Sequence, residues 1–232
     1  MTVGGGGNSC YPTSSSGTNS VAFACTPISI TSAGGGRGAG SETGNATGGS
    51  GGGASGHPSG TKTGAAGNTP PVSPPQGNPG GTSQPGDTPS GGGGGAGASG
   101  GNGPPHPGTS GAGGAGVASD ITGSCVTYAG GGGGGDFYCA AGAGGSGGGG
   151  AGGTGPNGAA TAGTANTGGG GGGEGSATQK AGNGGSGIVI VKELDKASGV
   201  WRLGDVIDLL DEETWPKRTA SIDYMVVAVA GS

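Results

Sequence analysis

Residues that could carry out chemistry are few in this chain, and their spacing does not bring them together. The two histidines, His57 and His106, each precede a proline in loop-like sequence and are predicted to be solvated loop residues, not metal ligands. The stretch from Gly56 to Thr63 approaches a phosphate-binding loop, but Thr61 stands between its final glycine and Lys62, which breaks the motif. We therefore expect no enzymatic activity, no cofactor and no metal.

Four cysteines form two local groups. Cys10 and Cys25 bracket a polar loop, whereas Cys125 and Cys139 bracket the run Gly130–Gly135. The simplest disulfide connectivity is therefore 10–25 and 125–139, and four free thiols are the alternative. The sequence leaves both states open, and the spacing does not resemble a zinc site.

Glycine dominates the composition and restricts the fold. The chain has 71 glycines in 232 residues, in unbroken runs such as Gly91–Gly95, Gly130–Gly135 and Gly168–Gly173. These runs have no every-third-residue period, which excludes a collagen triple helix. Hydrophobic residues are only 28% and aromatic residues 3%, which excludes the ordinary core of a packed α/β enzyme.

Such a chain either stays disordered or uses its backbone as the core. Extended polyglycine forms a left-handed helix with three residues per turn and no internal hydrogen bonds, so its N–H and C=O groups can pair with neighbouring strands. We predict an irregular glycine-rich fold of layered polyglycine II helices, with a few short β-strands and one short C-terminal α-helix. Valine at Gly132 or Gly170 is then expected to be more disruptive than valine at Gly77.

Specific interruptions favour this ordered fold over a disordered glycine-rich spacer. Asn68–Asn78 and Thr154–Gly158 carry turn signals. Short β-type runs stand at Val21–Ala24, Ile28–Thr31, Cys125–Tyr128 and Ile188–Val191. A flexible spacer does not need turn signals and β-type runs at defined positions.

Charge divides the chain into residues 1–193, a glycine-rich domain, and residues 194–232, where most charged residues lie. Within the second part, apolar residues recur at helical spacing from Leu203 to Glu213, and Pro216 ends the pattern, which predicts a short amphipathic helix. The helix either docks on a small local core or forms a docking surface for another subunit. The candidate docking residues are Trp201, Leu210, Trp215, Tyr224 and Val226.

The terminal run from Tyr224 to Val229 is a strong strand signal, and an unpaired apolar edge would be prone to aggregation. We expect it to pair with Ile188–Val191 or with Met1–Val3, in its own subunit or in a neighbour.

Net charge and hydropathy exclude several partners. The net charge is −5 and no basic stretch is longer than Lys217-Arg218, so nucleic-acid binding is not expected. No apolar run is long enough to span a membrane, and the N-terminus does not resemble a secretory signal.

Several separated motifs, in order, resemble a known family. They are Ser32–Gly38, Gly67–Asn78, Ile121–Gly130, Gly163–Gly168 and Gly184–Val191. Over about residues 1–193 the chain resembles the glycine-rich domain of tail-fibre and other virion proteins of tailed phages. Gly199-Val200-Trp201 and Thr214-Trp215-Pro216 are similar to the short connector that accompanies such domains.

The resemblance implies a phage fibre or adhesin component, made in the host bacterial cytoplasm and present in the virion. Its partners would be other virion proteins, further copies in a homotrimer, and a host outer-membrane protein or glycan. Prolines concentrate between His57 and Pro107, which makes this region the candidate host contact. Its candidate contact residues are His57, Thr61, Lys62, Gln76, Asn78, Gln84, Asp87 and His106. The alternative is a capsid decoration or extracellular filament subunit with a purely structural role.

Overall fold

The short β-strands and long glycine-rich segments of this chain are seen in a computed structural model. It describes residues 1–10, 14–40, 44–57, 60, 63–84, 89–176, 180–193 and 222–227. The strands are β1 (Ser20–Ala22), β2 (Ile30–Ser32), β3 (Val117–Ser119), β4 (Val126–Tyr128), β5 (Ile188–Glu193) and β6 (Ile222–Val227). The described part contains no helix, and most of it is irregular glycine-rich chain.

The strands pair as three antiparallel hairpins, β1 with β2, β3 with β4, and β5 with β6. The β-type runs predicted from the sequence are confirmed for β1, β2, β4 and β5, within a few residues. Strand β3 was not predicted, because Val117-Ala118-Ser119 contains a single β-branched residue. The predicted turn at Thr154–Gly158 is confirmed by reciprocal backbone hydrogen bonds between its end residues.

Strand β6 pairs with β5 of the same chain, which is one of the arrangements expected from the sequence. In the β5–β6 register, Ile188 lies opposite Val227 and Val191 lies opposite Tyr224. The two strands are joined by residues 194–221, which lie outside the described residues. The predicted helix from Leu203 to Glu213 therefore lies outside them too.

Glycine-rich segments pair through backbone hydrogen bonds that repeat every three residues. Donors in the segment 130–136 bond to carbonyl oxygens in the segment 147–153, and both segments advance by three residues from one bond to the next. The bonds run from Gly130 to Gly147, from Gly133 to Gly150 and from Asp136 to Gly153, at 2.9–3.1 Å. Since both residue numbers increase together, the two segments are parallel.

The same segment pairs with further neighbours, some of them antiparallel. Gly131 donates to Gly114 and Gly134 donates to Gly111, so one number rises as the other falls. The segments that hydrogen-bond to 130–136 are 90–96, 111–114, 142–145, 147–153 and 170–173. The chain thus runs up and down through a bundle of extended segments, and a segment near the centre is bonded on several sides.

Two kinds of core stabilise the bundle. A small hydrophobic cluster consists of Tyr128 and Ala129, with Ala96, Ile188 and Ile190 packed against it. Beyond it, the interior is backbone, because the glycines of Gly130–Gly135 are all buried. The backbone groups of such an interior must be paired with one another, which is what the repeated hydrogen bonds accomplish.

Candidate functional site

The bundle has two different ends, which follow from the direction of each segment. We call the end that carries β1 to β6 the sheet end, and the opposite end the loop end. The segment 130–136 begins at β4 and runs to Phe137, which therefore lies at the loop end. The antiparallel pairing of Gly91 with Ala54 places His57 at the same end.

Three of the candidate contact residues lie at the loop end. His57, Gln84 and His106 each follow a segment that runs in this direction, and all three are exposed. Their neighbours in sequence, Thr61, Lys62 and Asp87, lie outside the described residues. The structure thus places the described members His57, Gln84 and His106 on one surface, although they come from three separate loops.

Gln76 and Asn78 lie at the sheet end and make internal contacts. The Oε1 atom of Gln76 accepts a hydrogen bond from the N–H of Ala33. The Nδ2 atom of Asn78 donates to the carbonyl oxygens of Gly95 and Ala96, at 3.1 and 3.0 Å. Both side chains therefore hold the loop 68–77 against the bundle, and they are separated from His57 by the length of the segments.

An exposed aromatic cluster at the loop end was missed from the sequence. Phe137 and Tyr138 pack edge to face with ring centroids 4.8 Å apart, and His106 lies edge-on to Tyr138 at 6.3 Å. Phe137 is 45% exposed and Tyr138 is 69% exposed. The available signal was the adjacent Phe-Tyr pair one residue after a glycine run, in a chain with only 3% aromatic residues.

Asp136 anchors this aromatic loop. It is buried, and its Oδ1 atom accepts hydrogen bonds from the backbone N–H groups of Tyr138 and Cys139. A carboxylate that accepts two backbone N–H groups closes a tight turn. The aromatic rings therefore project from a turn fixed to the buried end of a glycine segment.

The four cysteines are free thiols, which is one of the two states that the sequence left open. Cys10 and Cys139 follow segments that run to the loop end, whereas Cys25 and Cys125 lie in the hairpin turns of the sheet end. A disulfide requires Cα atoms within about 7 Å of one another. The structure brings together neither Cys10 with Cys25 nor Cys125 with Cys139.

Among the candidate docking residues, Tyr224 and Val226 lie on β6, opposite Val191 and Val189 of β5. Trp201, Leu210 and Trp215 lie outside the described residues. No group of three His, Cys, Asp or Glu residues that could hold a metal ion is found within the described ranges. No described helix has the length and apolar character needed to cross a membrane.

A long groove runs between the glycine segments and opens near the aromatic cluster. Its volume is about 400 Å³. Its walls are formed by the segments 36–40, 50–57, 90–94, 132–138 and 171–176. Asp136 and Glu174 both line it, and burial raises the pKa of the Glu174 carboxyl above its ordinary value of 4.5.

Comparison with known proteins identifies one family. The profile of a glycine-rich domain matches residues 1–193. The match ends at the last residue of β5, so it includes every described glycine-rich segment and leaves out only β6 among the strands. No curated protein and no solved structure matches the chain.

Proposed function

Because the chain belongs to the glycine-rich domain family over residues 1–193, we propose that it is a structural component of a phage virion fibre, a tail-fibre or adhesin protein that contacts the host surface through its loop end. The glycine-rich body is the scaffold, and the loops carry the contact. The observation that carries this proposal is the exposed aromatic cluster of His106, Phe137 and Tyr138.

The scaffold consists of polyglycine II helices in this proposal. Hydrogen bonds that repeat every three residues along the parallel segments 130–136 and 147–153 match a helix with three residues per turn. Gly131 and Gly134 reach a different neighbour from Gly130 and Gly133, as expected when successive backbone groups point in different directions around a threefold axis. Such a scaffold needs no large hydrophobic core, which agrees with the composition.

The loop end has the character of a contact surface. Tyrosine and other aromatic side chains are enriched at protein interfaces, because a rigid ring supplies contact area at a low entropic cost. Tyr138 is 69% exposed, so its ring contributes little to the stability of the bundle. The turn held by Asp136 keeps the ring in place before a partner arrives, which lowers the cost of binding.

Labelling intact phage particles tests the location. A gold-labelled antibody against the chain should mark fibre tips if the protein is an adhesin. Labelling of the head or along a shaft would instead favour the decoration or filament subunit.

A variant pair tests the contact surface. Purified protein should compete with particles for adsorption to susceptible cells, and the double variant Phe137→Ser, Tyr138→Ser should lose most of that competition. Val117→Ser is the matched control, because Val117 is an exposed apolar residue at the sheet end, 51% exposed. Equal competition by both variants would overturn the assignment of the contact to the aromatic cluster.

A further inference from the structure

The groove between the glycine segments is lined by backbone donors that have no hydrogen-bond partner in the described part of the chain. On the wall formed by 132–138, the N–H groups of Gly132 and Gly135 make no hydrogen bond to any described residue. Between them, Gly133 and Gly134 both donate to neighbouring segments. The unpaired donors are therefore three residues apart, and they lie on the groove side of the segment.

Two other walls repeat this arrangement. The N–H groups of Ser50 and Gly53 on one wall, and of Gly171 and Glu174 on another, also find no hydrogen-bond acceptor among the described residues. Each pair again has a spacing of three residues. The wall formed by 90–94 lies between those formed by 50–57 and 132–138. Its Gly91 and Gly94 donate their N–H groups, but their carbonyl oxygens accept no hydrogen bond from the described part of the chain.

Unpaired backbone groups at buried positions are costly, about 1–3 kcal/mol for each group. Gly132, Gly135 and Gly53 are all buried. Elsewhere in the bundle, groups with the same spacing are satisfied by another extended segment, as Gly130 and Gly133 are by the segment 147–153. The walls of the groove therefore present the hydrogen-bonding pattern that an extended segment satisfies elsewhere in the bundle.

We propose that this groove binds an extended glycine-rich segment of a second polypeptide, with three residues per turn. Three residues of such a segment advance about 9 Å, which would bring its carbonyl and N–H groups into register with donors and acceptors three residues apart on the walls. A β-strand repeats every two residues and would lose this register. The proposal goes beyond the role of the loop end, because it concerns the groove between the glycine segments.

Charge specifies the occupant further. Asp136 and Glu174 line the groove, and its described lining residues include no Lys or Arg. An occupant with a basic residue next to its glycines would pair with these carboxylates. A basic partner would also oppose the effect of burial on Glu174, whose carboxyl has a raised pKa.

A substitution at Gly93 can block the groove without disturbing the packing of the glycine segments. A Cβ on Gly93 would lie 3.5 Å from the nitrogen of Gly132 and 3.6 Å from its oxygen, which is ordinary contact. The side chain of a Gly93→Leu variant would extend into the groove. Gly5 is the matched control, because a Cβ there would have only the Oγ1 atom of Thr18 nearby, at 3.8 Å, and Gly5 does not line the groove.

The test uses the full chain and an octaglycine peptide with a lysine at each end. In the free protein, the amides of Gly132 and Gly135 should exchange hydrogen much faster than those of Gly131, Gly133 and Gly134. Adding the peptide should slow the exchange of Gly132, Gly135 and Gly53 at least tenfold. Gly93→Leu should weaken peptide binding at least tenfold, and Gly5→Leu should leave it unchanged.

Three outcomes would overturn the proposal. The first is slow exchange at Gly132 and Gly135 without peptide, since these groups would then already be satisfied. The second is unchanged exchange when the peptide is present at millimolar concentration. The third is equal protection by a neutral oligosaccharide, which would make the groove a glycan site. The exchange measurement on the unaltered protein remains decisive even if Gly93→Leu fails to fold.

Discussion

Gly132 faces the carbonyl oxygen of Gly171 so closely that a Cβ built on Gly132 would overlap with that oxygen. The two residues are far apart in sequence, and each lies within a segment that is paired on either side. Gly170 donates to Gly130 and Gly173 donates to Gly133, so neither segment can move away without losing hydrogen bonds. The glycine at this position is therefore a packing requirement and not a source of flexibility.

The first prediction concerns this contact. Gly132→Ala should destabilise the domain by about 3 kcal/mol, the upper range for overpacking, because the overlapping atom is backbone and cannot rotate away. In a domain of this size, that corresponds to a fall in Tm of roughly 6–12 °C. Thermal unfolding followed by calorimetry measures it. Gly5→Ala serves as the control and should change Tm little; equal Tm values for the two variants would contradict a packed glycine interior.

The second prediction tests whether Asn78, a candidate host-contact residue, instead stabilises the fold. Asn78→Ala removes the Nδ2 donor to the carbonyl oxygens of Gly95 and Ala96; Gly95 keeps the backbone N–H of residue 78, whereas Ala96 loses its donor, and the change should cost about 1–3 kcal/mol. Urea unfolding at equilibrium gives this value. Thr109→Ala, at an exposed loop position, should stay within about 0.5 kcal/mol of the unaltered protein. A stable Asn78→Ala protein with weakened adsorption would instead place Asn78 in the host contact.

The local parts of the fold could be predicted from the sequence because their signals are local. Runs of β-branched and apolar residues predict most of the hairpin strands. The apolar run around Tyr224 pairs with Ile188–Val191, one of the two partners expected for it. Turn residues marked Thr154–Gly158. These elements are determined by residues within a few positions of one another.

The surroundings of individual glycines could not be predicted, because they depend on segments distant in sequence. Gly93 and Gly92 belong to the same run, yet a Cβ has room at Gly93 and overlaps with the carbonyl oxygen of Ala112 at Gly92. Valine at Gly77 is expected from the sequence to be milder than valine at Gly132, because Gly77 lies in a loop. The loop position is nevertheless packed, since a Cβ there would meet the Oγ atom of Ser50 and the carbonyl oxygen of Gly49 too closely.

The candidate contact surface was predicted only in part for a similar reason. His57 and His106 share the loop end, whereas Gln76 and Asn78 lie at the sheet end. The end at which a loop lies depends on how many times the chain has reversed direction before it. Glycine runs do not show where each segment begins and ends, so that number could not be counted from the sequence.

The third prediction concerns pH. Burial raises the folded-state pKa of Glu174 above its ordinary value of 4.5, so ionisation costs more in the folded than in the unfolded protein. The protonated form favours folding fully below pH 4.5, and this contribution is lost as the pH rises through the folded pKa. Glu174→Gln should therefore match the unaltered protein in Tm near pH 4 and exceed it at pH 8. A difference in Tm that is the same at both pH values would show that Glu174 ionises without a penalty.

The fourth prediction concerns the strand that closes the sheet end. β6 covers the edge of β5 through a six-residue register from Ile188–Val227 to Glu193–Ile222. Deleting residues 222–232 would expose the backbone groups of an apolar strand, Ile188-Val189-Ile190-Val191, which are then free to pair with other molecules. Ile188 and Ile190 also pack on Tyr128 and Ala129, so a displaced β5 would loosen the small hydrophobic cluster.

The deletion should therefore lower solubility and yield large species in size-exclusion chromatography with light scattering. Deleting only residues 228–232 is the control, because it leaves the whole β5–β6 register in place, and this protein should elute as the unaltered chain does. The two deletions differ only in β6, so any difference between them reports on the paired edge. A 222–232 deletion that remained soluble and of unchanged size would mean that the edge of β5 is protected without β6.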